Sequence, residues 1–185
     1  MSWSTFKSNI LNQTEGGMDN INDVASIWAR EYNSAILRGF DVVHKIPIQI
    51  GNTALLEQLI LIALQRGGVS NSSSFSLVSE MGKGVIAYWT GATMKLAPIP
   101  IIPAPGSIQN VSTTSNVVLS PGTWPPAPPV PPNNNAGLMI DVFIQTATAH
   151  LLSVSGLINT ISLYPAAPSP VPGPGIISWT GYQVP

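Results

Sequence analysis

The chain has 185 residues, seven Lys and Arg against eight Asp and Glu, a net charge of −1 and no cysteine. That length can bury a real core, but a near-neutral balance offers no basic field for a phosphate backbone and argues against nucleic acid as the main ligand. Without cysteine there is neither a disulfide framework nor a thiolate metal site.

Charge is scarce and unevenly placed. Charged residues make up 8% of the chain against a usual ~25%. Fourteen of the fifteen lie at or before Lys95, so Leu96 to Pro185 carries one ionisable acid, Asp141, and no Lys or Arg. The same half holds seventeen of the eighteen prolines. An apolar, uncharged, proline-stiffened segment is a poor free surface, because carboxylates and ammonium groups hold water far better than Ala, Pro or Ile. The composition therefore points to a subunit whose C-terminal half is covered by neighbours.

The N-terminus, Met1-Ser-Trp-Ser-Thr-Phe-Lys-Ser-Asn-Ile10, has no basic segment leading into an apolar run, so no cleaved secretion signal is expected. Ser2 or Ser4 can cap a first helix that runs through Asn12 and ends at Gly16-Gly17. A second helix is predicted from about Asn20 to Arg38, capped by Asp19 or Asn20. Ile21, Val24, Trp28, Tyr32 and Ala35 share one face, and Gly39 is placed to stop it. Lys45 to Ile50 alternates apolar and polar like a short strand. Asn52 then caps a third helix, Thr53 to Arg66, that is apolar nearly all round and is predicted to lie at the centre of a bundle. Leu59, Ile62, Trp28 and Trp89 are the expected core. Serines 70–74 lead into a fourth helix carrying Phe75, Val78, Val85 and Trp89, in which Gly82 and Gly84 mark close backbone packing.

After Met94 the pattern changes. Pro98 to Gly106 is polyproline-like, Ile108 to Leu119 is β-branched, and Pro121 to Pro132 is again proline-dense. A fifth, long amphipathic helix is predicted over 136–164, with Ile140, Phe143, Ala147, Leu151, Val154, Ile158 and Ile161 on one face. Asp141, Gln145, Thr148, Ser155 and Asn159 lie opposite. Read as a membrane span, 138–163 is long enough, but its polar stripe and lack of flanking Lys or Arg count against that. The remainder, 165–185, reads as an extended proline-rich tail. The expected fold is mainly α: a helical bundle over 1–96, a proline-rich extended or β-like segment over 97–135, the long helix packed on the bundle or a neighbour, and the tail. Trp-Thr-Gly occurs at 89–91 and 179–181, bracketing the charge-poor half. Two copies of a tripeptide also fit two Trp anchors each followed by a Gly turn.

No catalytic constellation is legible. His44 and His150 read as a loop histidine and a hydrogen-bonded core histidine. Asp141 falls nearly opposite His150 on a helical wheel, so the two cannot pair within one helix. No metalloprotease, hydrolase-elbow, phosphate-loop or dinucleotide motif occurs, and Asp19, Asp23, Glu31, Glu57 and Glu80 read as caps or surface charges. Neither enzyme activity nor a cofactor or metal is expected. The candidate site is an interface: Trp124, Pro125, Pro126, Pro128, Pro129, Pro131, Trp179 and Tyr182, with the two tryptophans as intermolecular anchors. On that expectation, deleting Ile176 to Pro185 spares the helical half.

Three stretches carry a resemblance. They are Met1 to Asn9, the junction Glu80-Met-Gly-Lys-Gly-Val-Ile-Ala-Tyr-Trp-Thr-Gly-Ala-Thr-Met94 with the Pro-Ile-Pro-Ile-Ile-Pro-Ala-Pro-Gly that follows, and the ending Trp179-Thr-Gly-Tyr-Gln-Val-Pro185. Together they resemble small virion structural proteins of tailed bacteriophages, particularly contractile-tailed phages of aquatic hosts. The resemblance implies a particle component of capsid, neck, tail or baseplate that is assembled in the host cytoplasm. Its partners would be copies of itself and other virion proteins, with no enzymatic role to transfer. A membrane-associated or pore-forming protein using 138–163 and an assembly scaffold are the rival readings.

Overall fold

Apolar residues recurring every three or four positions commit the N-terminal half to four helices: α1 (Trp3–Thr14), α2 (Ile21–Ile36), α3 (Thr53–Val69) and α4 (Leu77–Thr90). The computed structural model describes residues 2–14, 20–43, 45–69, 76–94, 117–128, 136–164 and 171–185. Side-chain oxygens cap the helix starts, where backbone N–H groups have no partner inside the helix. Ser2 Oγ accepts from Thr5 N at 3.3 Å, Asn20 Oδ1 from Asn22 N at 2.9 Å, Asn52 Oδ1 from Leu55 N at 3.2 Å and Ser76 Oγ from Ser79 N at 3.3 Å.

α3 packs between α2 and α4, as expected of a central helix, while α2 contributes more of the buried side chains. Ala25, Trp28, Ala29, Tyr32, Ala35 and Ile36 of α2 are all buried, and the three alanines let the neighbouring helices approach closely. α3 turns only Leu56, Ile60 and Ala63 into the core, while Leu59 and Ile62 stay half-buried. Trp28 and Trp89 are buried as expected. The half-burial of Leu59 and Ile62 has a physical cause: an all-apolar helix still turns one side away from its neighbours, and hydropathy alone does not say which.

The described residues of the C-terminal half complete this core. α5 (Ala136–Leu151) lies against α1, with Phe143 stacked on Phe6 at 5.8 Å and edge-on to Trp28 at 5.0 Å. Ile140, Phe143, Ala147 and Leu151 face inward, whereas Asp141, Gln145 and Thr148 are exposed. Here the expected helix over 136–164 is corrected, because it ends at Leu151. The Ser153 hydroxyl donates to the His150 carbonyl at 2.7 Å, occupying a helix-end acceptor, and the chain leaves as strand β5 (Ser155–Tyr164). β5 pairs antiparallel along its full length with β6 (Val171–Thr180), from Ser155 opposite Thr180 to Tyr164 opposite Val171. Beside it β4 (Val117–Ser120) covers only Ser155 to Ile158. Among the described residues, no helix is long and apolar enough to cross a membrane.

The extended proline-rich tail expected over 165–185 is also corrected, because its described residues form strands and join the core. β1 (Phe40–Asp41) pairs with β7 (Tyr182–Gln183), and β2 (Ile48–Ile50) pairs with β3 (Thr93–Met94). Trp179, Tyr182 and Val184 are buried. Tyr182 stands 5.0 Å from Trp89, donates its hydroxyl to the Ile36 carbonyl at 2.8 Å and accepts from Ile48 N at 3.2 Å. The two Trp-Thr-Gly copies end different elements, helix α4 and strand β6, and are therefore not a repeated unit.

These contacts reverse the expectation that the tail can be deleted without cost. Removing Trp179 to Pro185 should abolish the cooperative unfolding transition of the helices, followed by circular dichroism. Tyr182→Phe, which strands the Ile36 carbonyl and the Ile48 N–H, should cost about 1–3 kcal/mol in urea denaturation. An unchanged transition in both variants would show that the tail only rests on the bundle.

Candidate interface and its buried polar groups

Seven of the twelve charged side chains among the described residues pair with one another. Lys7 on α1 donates to both carboxylate oxygens of Asp141 on α5, at 2.7 Å each. The single Asp or Glu after Lys95 is thus held by the N-terminal half. Both side chains are partly exposed, so the pair contributes no more than about 1 kcal/mol and serves to align the two helices. Glu31, nearly buried on α2, accepts from Asn9 at 2.7 Å and from Arg30 at 3.2 Å. Glu80 accepts from Lys83 and Arg66, and the Lys83 bond leads in holding its carboxyl below the usual carboxylate range. Asp41, fully buried, accepts from Val43 N at 3.0 Å and Ile46 N at 2.6 Å. It thereby folds a tight loop that lifts Val42 and Val43 to the surface. Lys45, in the left-handed region at φ 60°, sits in that loop with its ammonium 4.7 Å from the centre of the Phe40 ring.

Phenol hydroxyls carry much of the buried polarity. Trp89 Nε1 donates to Tyr32 Oη at 3.1 Å, and Tyr88 Oη donates to Asn33 Oδ1 at 2.8 Å. Burial pushes the Tyr32, Tyr88 and Tyr182 hydroxyls far above the ordinary phenol range. They are fixed donors and acceptors, unfit for proton transfer near neutrality. Among the described residues no group of three or more His, Cys, Asp and Glu side chains converges as a metal site would need.

The proline-rich segment is described over 117–128. After β4, residues Pro121 to Pro128 run without regular structure across α4 and α5. His150, at the end of α5 and fully buried, holds the segment by its ring: Nε2 lies 2.7 Å from the Pro121 carbonyl. A carbonyl only accepts, so Nε2 bears the proton, and the bare, buried Nδ1 has no partner among the described residues. Burial, outweighing that hydrogen bond, lowers the ring's pKa to about 4. Thr123 N donates to Ser153 Oγ at 2.9 Å. Trp124 then lies on Phe143 at 5.7 Å and His150 at 5.5 Å, its pyrrole ring seated on the bare Cα of Gly82. A Cβ on Gly82 would stand 2.3 Å from that ring. The close packing expected at Gly82 is thus explained by one tryptophan.

The eight expected interface residues separate into three groups. Trp124 is half-buried on its own chain, with Pro125 half-buried and Pro126 and Pro128 exposed beside it. Trp179 and Tyr182 are 2% and 1% exposed within the protein's own core. Neither has a ring face left for a neighbour, which corrects their role as intermolecular anchors. Pro129 and Pro131, like His44, lie outside the described residues. Sequence reasoning missed the large apolar side chains that do face outward: Val43, Ile50, Leu152 and Leu157, between 46% and 64% exposed. The short loop at Val42-Val43 was its one available signal. No protein-family model, curated protein or solved structure matches this chain.

Two measurements test this geometry. Gly82→Ala should destabilise the protein by about 1–3 kcal/mol through collision with Trp124, and in a Trp124→Ala background the same change should stabilise by up to about 1 kcal/mol, the ordinary helix preference of Ala over Gly. Additive effects would place Trp124 elsewhere. The second concerns pH. His150 stays neutral in the folded protein down to about 4, whereas the unfolded chain takes up its proton near 6.5. The unfolded state therefore binds more protons between these values, and the stability present above pH 6.5 should be lost as pH falls to 4. The loss should reach about 3 kcal/mol at most. His150→Gln should remove that component. Parallel pH profiles for the two proteins would rule it out.

Proposed function

We propose that this chain is a non-enzymatic structural subunit of a bacteriophage particle, working in the tail, neck, baseplate or capsid through contacts with copies of itself and with other virion proteins. The observation that carries the reading is the distribution of charge. Ninety residues contain one carboxylate, and that carboxylate is occupied by Lys7. Among the described residues, the exterior of this half is left to side chains such as Thr123, Pro126, Pro128, Gln145 and Thr148 and to exposed Leu152 and Leu157. Such a surface resists neither association nor burial. In this reading the proline-rich stretch 97–135 and the C-terminal strands are the parts that meet neighbours, with rigid prolines lowering the entropy lost on docking. The resemblance of the opening, the Glu80–Met94 junction and the ending to tailed-phage virion proteins supports the same assignment.

Purified, detergent-washed particles should contain the protein at a fixed copy number by quantitative mass spectrometry. Loss with the lipid fraction would favour the membrane-associated alternative. Presence in precursors and absence from finished particles would make it a scaffold, and either result removes the structural-subunit reading.

A further inference from the structure

We infer that residues 121–128 form an acid-released strap: a proton taken up by His150 frees the strap from α4 and α5 while the helical core stays folded. The device needs no neighbour, so it goes beyond the assembly reading and does not rest on it.

The fastenings of the strap lie close together. It belongs to no helix or strand, and its prolines at 121, 125, 126 and 128 supply no N–H. Three hydrogen bonds tie it to the end of α5: His150 Nε2 to the Pro121 carbonyl at 2.7 Å, Thr123 N to Ser153 Oγ at 2.9 Å and Ser153 Oγ to the Thr123 carbonyl at 3.3 Å. Gly122, in the left-handed region at φ 71°, makes the bend between them, where a Cβ would stand 2.5 Å from Ser153 Oγ. Trp124 completes the closure on Gly82, Phe143 and His150. Closure also strands two polar atoms. The Trp124 Nε1 donor and the His150 Nδ1 acceptor are buried with no partner among the described residues. Both regain water when the strap lifts, so the closed state carries a cost that the open state does not.

Protonation tips this balance at one atom. A charged imidazole still donates from Nε2 to Pro121, so that bond is not what fails. The new Nδ1–H and the ring's charge need water, and Pro121 and Trp124 of the strap lie against the ring. The charges on the elements around it are already engaged or exposed. Lys7 of α1 pairs with Asp141 of α5, and Glu80 and Lys83 of α4 pair with each other. On α2, which meets α5 through Trp28 and Tyr32, Arg30 and Glu31 pair and Asp23 is exposed. β4, the strap and β7 carry no charge. The phenols Tyr32, Tyr88 and Tyr182 stay neutral. Burial lowers the closed ring's pKa to about 4, whereas a hydrated ring titrates near 6.5. The open form therefore binds more protons between these values, and opening should grow about tenfold per pH unit as pH falls through that window, about 300-fold in all.

Amide hydrogen exchange followed by NMR reads the opening at Thr123 N, once each rate is divided by that of an unprotected amide at the same pH. Protection there should fall about tenfold per pH unit between about pH 6 and 4.5. It should also stay at least about 100-fold below that of core amides of α2, because the strap opens without the bundle. His150→Gln keeps a neutral donor for Pro121 and should flatten the pH dependence. Trp124→Ala loosens the strap, so by reciprocity the NMR titration midpoint of His150 should rise toward 6.5. Constant protection of Thr123 across this range overturns the inference, as does an unchanged slope in His150→Gln. Equal protection of Thr123 and the α2 amides would mean that only the whole molecule opens, which overturns it too. Should His150→Gln not fold, the Trp124→Ala midpoint decides: left in place, it sinks the strap.

Discussion

The hydroxyl of Tyr182 lies between the Ile36 carbonyl and the Ile48 amide, and its ring lies between Trp89 and Trp179. Four elements far apart in the chain meet at this side chain: the end of α2, strand β2, the last turn of α4 and the end of β6. A buried phenol needs both an apolar socket and a partner for its oxygen. Satisfying both at once sets where β1 and β7 pair and how the C-terminal strands sit against the bundle. The placement of the 117–128 segment depends on the same arrangement, because its β4 pairs with β5 and β5 pairs with the strand that carries Trp179.

With so few charges, the protein solves by other means the problems that ion pairs solve elsewhere. Helix starts are capped by Ser and Asn, buried tyrosines bond to carbonyls and amides, and Asp41 organises its loop through backbone N–H groups. The cost is a surface on which solubility is weakly defended.

The helical half was legible because its signals are local. A cap at Asn20 or Asn52, the apolar stripe of α2 and the packing glycine at 82 are each decided within a few residues. The inward face of α5 was equally readable as far as Leu151. Beyond it, Val154, Ile158 and Ile161 continue at helical spacing, yet Leu157, Asn159, Ile161 and Leu163 also alternate as a strand, and periodicity cannot choose between these. Tertiary pairing with β6 chose. One local hint existed in Ser153 to Gly156, a poor helix-forming run whose glycine lies under the Trp179 ring, where a Cβ would stand 2.6 Å away. The burial of Trp179 and Tyr182 had no local signal, because their sockets are built from residues far earlier in the chain. Prolines in β6 read as a bar to pairing, whereas at an edge they bar it on one side only.

The bond from Tyr182 to Ile36 spans 146 residues of sequence. Closing a loop of that length must be accomplished before its contacts return any stabilisation, and chains rich in such contacts fold slowly. Helices α1 to α4, whose contacts are nearer in sequence, can assemble first. Until Tyr182 arrives, the side of Trp89 that its ring covers stays open. That side is a sticky surface in a chain with little charge to keep copies apart. Contacts this distant in sequence make the interval between synthesis and core closure the period of greatest aggregation hazard.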